Sequence, residues 1–210
     1  MTNQPLLRVS AFSTCLIVAL CSVAVFSQES PPKTLRDQVH EKGSATAGTF
    51  SDRVVFGPYK FGNVVKESRV IVEGQVVARE AHLSGDEQSV YTDIGFTVYQ
   101  ILKDPDHLVK PKDRISVITP GGETNVDGGS VKVESGTIRP LKTGEVYILF
   151  LSKPSTATSY LLSNEFGGFH VTQNTVECQG HKLADSPCGK KVGEFYEVLS
   201  KTLAEGKNAQ

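Results

Sequence analysis

Residues 70–80 read VIVEGQVVARE, and this stretch decides the predicted fold. Its even-numbered residues are apolar or glycine as far as position 78, which is the two-residue period of a strand with one apolar face. A glycine in the middle of that face, Gly74, is typical of a bend, a bulge or a close backbone approach, as at the corner of a small barrel. We therefore predict a first strand that curves sharply.

The chain continues with further strand patterns separated by turns. Residues 90–103 alternate in the same way, and we expect them to pair with the first strand as an antiparallel hairpin. Residues 145–152 (EVYILFLS) are nearly all apolar, which predicts a strand buried on both sides or packed against a covering element. A turn is predicted at residues 120–122, and the polar segment 123–136 is predicted to be a loop with one short edge strand. The other strands are predicted at residues 114–119, 160–163 and 166–171.

One helix closes the predicted domain. Between residues 191 and 203, apolar side chains at positions 192, 195, 196, 199 and 203 form the stripe of an amphipathic helix that packs on a sheet. Gly206 is expected to end it, which leaves a free tail at residues 206–210. Five to seven strands with frequent turns and one helix predict a mainly β barrel or sandwich.

The N-terminal segment has the order of a secretory signal. A single positive charge, Arg8, precedes an apolar run at residues 11–26, and small residues stand at Val25 and Ser27. We expect cleavage after Ser27, and export to the periplasm or the extracellular space. The alternative is a retained membrane anchor, but this run is shorter than the roughly 20 residues that span a bilayer. No membrane span is expected after cleavage.

The expected domain organisation follows from composition. Residues 28–49 are rich in proline, serine, glycine and charge, with few apolar residues, and are predicted to be a flexible lead-in. Residues 50–205 are predicted to form a single barrel domain with its helix. We expect a monomer.

The cysteines of the mature chain predict one disulfide. Signal cleavage removes Cys15 and Cys21 and leaves Cys178 and Cys188, an even count in an exported protein. A three-ligand metal site that adds His181 to this pair is the alternative, but its spacing matches no recognised zinc motif.

The composition does not favour nucleic acid as a partner. The full chain has 22 basic and 23 acidic residues. Removal of residues 1–27 deletes Arg8 and no acid, so 21 basic and 23 acidic residues remain, with a formal charge of −2. Single-stranded nucleic acid needs exposed aromatic side chains beside a basic groove, and the chain has no tryptophan.

Motifs of catalysis and cofactor binding are absent from the sequence. It contains no G-x-S-x-G, H-E-x-x-H, Walker A, G-x-G-x-x-G or C-x-x-C pattern, and we assign no catalytic residue, cofactor or metal. The alternative is a hydrolase with a site around His170, using Asp93 or Glu165. The acidic loop that holds Asp104, Asp106 and Asp113 could bind calcium, but interleaved lysines favour a solvated loop.

The order of these segments resembles the netrin-type OB fold of the tissue inhibitors of metalloproteinases and related secreted modules. The resemblance covers about residues 64–205 and rests on VIVEGQVV, on VYQILK, a long strand ending in lysine, and on TGEVYILFL, a buried strand after a Gly-Glu turn. It implies a five-to-seven-stranded antiparallel OB-type barrel with a C-terminal amphipathic helix. Those inhibitors chelate the protease zinc with an N-terminal cysteine, whereas the mature chain here begins at Gln28. No inhibitory position is carried over.

These observations favour a non-enzymatic exported binding module that engages a protein or a glycan. OB barrels commonly bind through the face of their second and third strands and the adjoining loops. The candidate partner-binding residues are therefore Tyr91, Tyr99, Gly121 and Gly122.

Overall fold

The structure, a computed structural model, describes residues 32–49, 60–153, 158–162, 166–180, 183 and 185–207. The predicted signal segment, residues 1–27, lies outside the described residues. The helices are α1 (Leu35–Lys42), α2 (Phe61–Glu67) and α3 (Val192–Lys207). The strands are β1 (Ser44–Thr49), β2 (Val70–Leu83), β3 (Val90–Lys103), β4 (Arg114–Pro120), β5 (Gly122–Val126), β6 (Gly129–Ser135), β7 (Val146–Ser152), β8 (Tyr160–Leu162), β9 (Gly168–Val171) and β10 (Val176–Cys178).

Five of these strands close into a barrel. Strands β2, β3 and β4 form an antiparallel meander, and β7 pairs with the free side of β2. The short β8 completes the ring because it pairs antiparallel with β7 and parallel with β4. Strands β9 and β10 extend the same sheet beyond β7. The predicted OB-type barrel with a C-terminal helix is confirmed.

The glycine in the first barrel strand has the predicted role. A Cβ built on Gly74 would lie 2.1 Å from the carbonyl oxygen of Thr97 on the paired strand, so no side chain fits. The pairing of β2 with β3 shifts register between Glu73 and Gly74, which marks a bulge. Bulges bend a strand and increase its twist, and this one lies in the most extensively paired hairpin of the barrel.

The apolar run of β7 is buried on both faces, as predicted. Tyr147, Leu149 and Leu151 belong to the cluster inside the barrel, whereas Ile148 and Phe150 belong to a second cluster on its outer face. Helices α2 and α3 cover that outer face with buried side chains that include Phe61, Phe195 and Leu199. The ring of Phe61 meets those of Phe150, Phe169 and Phe195 at centroid distances of 5.8, 5.9 and 6.2 Å.

The prediction of a flexible lead-in is wrong for residues 32–49. Thr34 caps α1 by accepting a hydrogen bond from the backbone N–H of Asp37 (3.1 Å), and Leu35 and Val39 are buried in a third apolar cluster. Strand β1 then pairs in parallel with β6. The helix is held by two buried apolar residues one turn apart and by a hydrogen bond from the Leu35 N–H to the Glu87 carbonyl (2.9 Å). Composition reveals neither this bond nor the backbone pairing of β1.

Two other boundaries differ from the predictions. Residues 122–135 form the hairpin β5–β6 rather than a loop with one edge strand, and its turn places Asp127 and Gly128 at φ of 50° and 86°. Helix α3 continues through Gly206 to Lys207, because a glycine in a last turn costs only about 1 kcal/mol.

None of the helices within the described residues is long and apolar enough to cross a membrane.

Candidate functional site

A cleft of about 620 Å³ opens beside the turn that joins β4 to β5. Its walls are the ends of the barrel strands β3 and β4, the end of β6, the segment at residues 136–140 and residues 179–180. We call it the turn cleft. Its lining combines glycine backbone with charged and polar side chains, among them Arg79, Thr92, Thr119, Gly121, Gly122, Glu123, Lys132, Glu134, Thr137, Arg139 and Gln179.

Two of the predicted binding residues, Gly121 and Gly122, line this cleft. Their φ angles are +84° and +145°, a region that side chains rarely adopt. An added Cβ would also lie 2.8 Å from the carbonyl oxygen of Val133 at Gly121, and 2.5 Å from Thr92 Oγ1 at Gly122. The Thr92 hydroxyl donates a hydrogen bond of 2.6 Å to the Gly121 carbonyl. The glycines therefore let β5 turn closely against the barrel and leave a lining without side chains.

The acidic residues of the cleft are already engaged. Lys132 Nζ lies 2.5 Å from Glu134 Oε1, and this contact raises the lysine pKa and lowers the glutamate pKa. Glu123 accepts a hydrogen bond of 3.1 Å from the Ser130 hydroxyl, and its charge adds slightly to the raised pKa of Lys132. The Lys132–Glu134 pair is neutral overall, whereas Glu123 keeps its negative charge, because a serine hydroxyl carries none to offset it.

The two arginines of the cleft have no such partner. Within the part of the chain that the structure describes, neither Arg79 nor Arg139 makes an ion pair with a carboxylate. Arg79 lies in β2 and Arg139 in the segment after β6, so two distant parts of the sequence each contribute an exposed arginine to the lining of one cleft. The uncompensated charge of the turn cleft is therefore positive.

Gln179 adds a buried polar side chain to the same lining. The residue is only 6% exposed, and its side chain packs against Gly168, where an added Cβ would lie 3.3 Å from the Gln179 Cβ. Its backbone is satisfied by Gly168 and Arg139, but its carboxamide makes no hydrogen bond to any other described residue. Its amide is not among the fully buried side-chain atoms without a partner, so it reaches solvent in the cleft.

The predicted tyrosines lie elsewhere. Tyr91 stacks beside His82 with ring centroids 5.4 Å apart and borders a separate, shallower pocket of about 400 Å³. Tyr99 is 50% exposed, and its hydroxyl donates a hydrogen bond of 2.8 Å to Gln75. Eight residues of one strand separate the tyrosines, a distance of about 27 Å. The structure thus brings Gly121 together with Gly122 but not with either tyrosine ring.

His170 contacts two carboxylates other than the ones considered from the sequence. Its Nε2 lies 3.3 Å from Glu145 Oε2, and its Nδ1 lies 3.7 Å from Glu177 Oε2. Asp93 lies on β3, three strand spacings from β9 in the sheet, and its carboxylate accepts a hydrogen bond of 2.7 Å from the Ser116 hydroxyl. The structure therefore pairs His170 with other carboxylates than Asp93, and Glu165 lies outside the described residues.

The cysteines form the predicted disulfide. Cys178 and Cys188 are bonded, with their Cα atoms 5.4 Å apart, so the alternative metal site with His181 is wrong. The acidic loop is also engaged internally: Asp104 and Asp113 accept backbone hydrogen bonds, and Asp106 pairs with Arg69 at 2.8 Å. Among the described residues, no group of three or more histidine, cysteine, aspartate or glutamate side chains could hold a metal ion.

Sequence reasoning found the glycines of the turn cleft but missed Arg79, Arg139 and Gln179. These residues stand 60 and 40 positions apart in the chain, and no local pattern marks them. Only the closure of the barrel brings them together. Comparison of the chain with protein-family models and with curated proteins found no match.

Proposed function

We propose that this chain is an exported, monomeric, non-enzymatic module that binds a protein or a glycan in the turn cleft. The signal pattern of residues 1–27 supports export, and the disulfide between Cys178 and Cys188 is compatible with an oxidising compartment. No catalytic or cofactor role is assigned to any residue.

The position of the cleft carries the proposal. In OB barrels the second and third strands and the neighbouring loops form the usual binding surface. Here those strands are β3 and β4, and Thr92, Thr119 and Pro120 at their ends line the turn cleft. Its volume of about 620 Å³ lies within the range of small-ligand sites, and it is large enough for one or two residues of a partner.

The resemblance to the netrin and metalloproteinase-inhibitor modules fits this proposal at the level of the barrel. The inhibitory wedge of that family requires an N-terminal cysteine, and the mature chain proposed here begins at Gln28. We therefore propose binding by the cleft, and not protease inhibition by the terminus. Nucleic acid is not proposed as the partner, because no aromatic side chain lines the described part of the cleft to stack on bases.

The experiment uses the mature protein from Gln28 with its disulfide intact, immobilised and exposed to the extracellular or periplasmic fraction. Binding of the retained partner is then measured for Thr137→Trp, which fills the turn cleft, and for Thr46→Trp, which places the same bulk on the exposed side of β1. We expect Thr137→Trp to weaken binding at least tenfold. Because Thr46 lies opposite the cleft residue Lys132 on the neighbouring strand, a second control, Ser200→Trp on the exposed side of α3, should leave binding unchanged.

Two outcomes would contradict the proposal. If no partner is retained, a diffusible substrate and the hydrolase alternative become the better explanation. If Tyr91→Ala and Tyr99→Ala abolish binding while Thr137→Trp does not, the partner binds on the face of β3 and not in the turn cleft. N-terminal sequencing of the exported protein tests the proposed export, because the mature protein should begin at Gln28.

A further inference from the structure

The geometry of the turn cleft points to a carboxylate of an acidic peptide segment as the group that it binds, with Arg79 and Arg139 as its ligands. This inference rests on the proposed binding function and names the chemistry of the partner. It assigns a role to Arg79 and Arg139, two residues that neither the fold nor the disulfide requires.

The two guanidinium groups provide the attraction. Arginine presents a planar set of N–H donors that matches a carboxylate, often through two parallel hydrogen bonds. Arg79 and Arg139 line one cleft without an ion pair to any described carboxylate, while Lys132 is paired with Glu134. Glu134 is neutralised by Lys132, so the two arginines outweigh the one remaining carboxylate of the cleft, Glu123, and an incoming carboxylate meets a net positive charge.

The carboxamide of Gln179 adds a neutral donor to the same lining. It makes no hydrogen bond to another described residue, and it is not among the fully buried side-chain atoms without a partner, so it reaches solvent in the cleft. A carboxylate oxygen accepts hydrogen bonds from an amide N–H₂ as well as from guanidinium groups. A bound carboxylate could therefore replace water at the Gln179 amide.

The lining favours a peptide over an acidic glycan. Sugar rings bind well against aromatic faces, and no aromatic side chain lines the described part of this cleft. The cleft instead offers the hydroxyl of Thr137 and the amide of Gln179, polar groups that can hydrogen-bond to the backbone of an extended peptide. A uronic-acid oligosaccharide carries the same carboxylate and serves as the competing probe.

The test measures fluorescence anisotropy with a hexapeptide of alternating glutamate and alanine, labelled at its N-terminus and amidated at its C-terminus. The matched probe has glutamine in place of glutamate. The protein variants are Arg79→Gln, Arg139→Gln and Gln179→Leu. The control is Arg114→Gln, which removes an exposed arginine of β4 that lies outside the turn cleft and also lacks an ion pair among the described residues.

We expect the glutamate peptide to bind at least tenfold more tightly than the glutamine peptide, with an affinity that falls as salt is added. Arg79→Gln and Arg139→Gln should each weaken it about tenfold, Gln179→Leu about three- to tenfold, and Arg114→Gln not at all. Circular dichroism and thermal melting confirm that each variant is folded.

Three results would overturn the inference. They are equal binding of the two peptides, equal loss in Arg114→Gln and the cleft variants, and tighter binding of an oligogalacturonate than of the glutamate peptide. Failure of the proposed function is distinguishable: if Thr137→Trp abolishes capture of the natural partner but Arg79→Gln and Arg139→Gln do not, the cleft binds a partner without using a carboxylate.

Discussion

The hydroxyl of Tyr147 donates a hydrogen bond of 2.7 Å to Glu145 Oε2 and accepts one of 2.9 Å from the backbone N–H of Lys142. The tyrosine ring is almost fully buried inside the barrel, 1% exposed, whereas Glu145 reaches the surface and meets His170 there. This contact ties the turn before β7 to the barrel interior.

Replacement of Tyr147 by phenylalanine should lower the free energy of unfolding by about 1–2 kcal/mol, because it leaves the Lys142 N–H and the Glu145 carboxylate without their partner. Urea denaturation followed by circular dichroism measures this change. Tyr91→Phe is the matched control, since its hydroxyl makes no hydrogen bond to a described residue. Equal stability of the two variants would show that the Tyr147 hydroxyl is not stabilising.

The same tyrosine predicts a loss of stability at alkaline pH. Burial and, to a smaller extent, the hydrogen bond to Glu145 raise the pKa of Tyr147 to about 12. A raised tyrosine pKa means that the folded state favours the neutral phenol. Its contribution is complete below the unfolded pKa of about 10 and is lost as pH rises towards 12.

Denaturation curves of the wild type and Tyr147→Phe between pH 8 and 12 check this prediction. The stability difference between them should shrink above about pH 10. Tyr196, whose pKa is raised by burial and by its hydrogen bond to Glu73, is present in both proteins and contributes equally. A difference that stays constant up to pH 12 contradicts the assignment to Tyr147.

Gly129→Ala should loosen the packing of α1 against β6. An added Cβ would lie 2.4 Å from Val39 Cγ1 and 2.6 Å from the Gly43 carbonyl oxygen, so the helix must move. We expect a loss of about 1–3 kcal/mol and faster amide exchange in α1 and β1. Gly48→Ala is the control, because its nearest neighbour, the Glu134 carbonyl oxygen, is 4.0 Å away. Equal exchange in both variants would contradict the docking of α1.

Removal of the disulfide by Cys178→Ala with Cys188→Ala should lower stability by about 2–3 kcal/mol, because the bond closes a short loop with a sequence separation of 10. The cysteines pack against the cluster under α3, so the barrel should still fold. Thermal melting with and without a reductant measures the effect. The reductant should lower the melting temperature of the wild type and leave that of the double variant unchanged. If the melting temperature of the wild type does not change, the disulfide is not stabilising.

The sequence by itself determined the barrel and its covering helix. Alternation in residues 70–80, the glycine at position 74 and the apolar run of β7 are local patterns, and each predicts burial on a particular face. The disulfide was also predictable, since only two cysteines remain after the expected cleavage. In all of these cases the residues that form the feature lie close together in the sequence, so the sequence pattern itself shows it.

Tertiary structure alone decided the docking of α1 and β1, the partners of His170 and the composition of the turn cleft. Parallel pairing of β1 with β6 joins segments more than 80 residues apart through backbone groups that every residue carries. Arg79, Arg139 and Gln179 likewise share a cleft only because the strands close into a ring. Such contacts join residues that are far apart in the sequence, so no local pattern of apolar and polar residues predicts them.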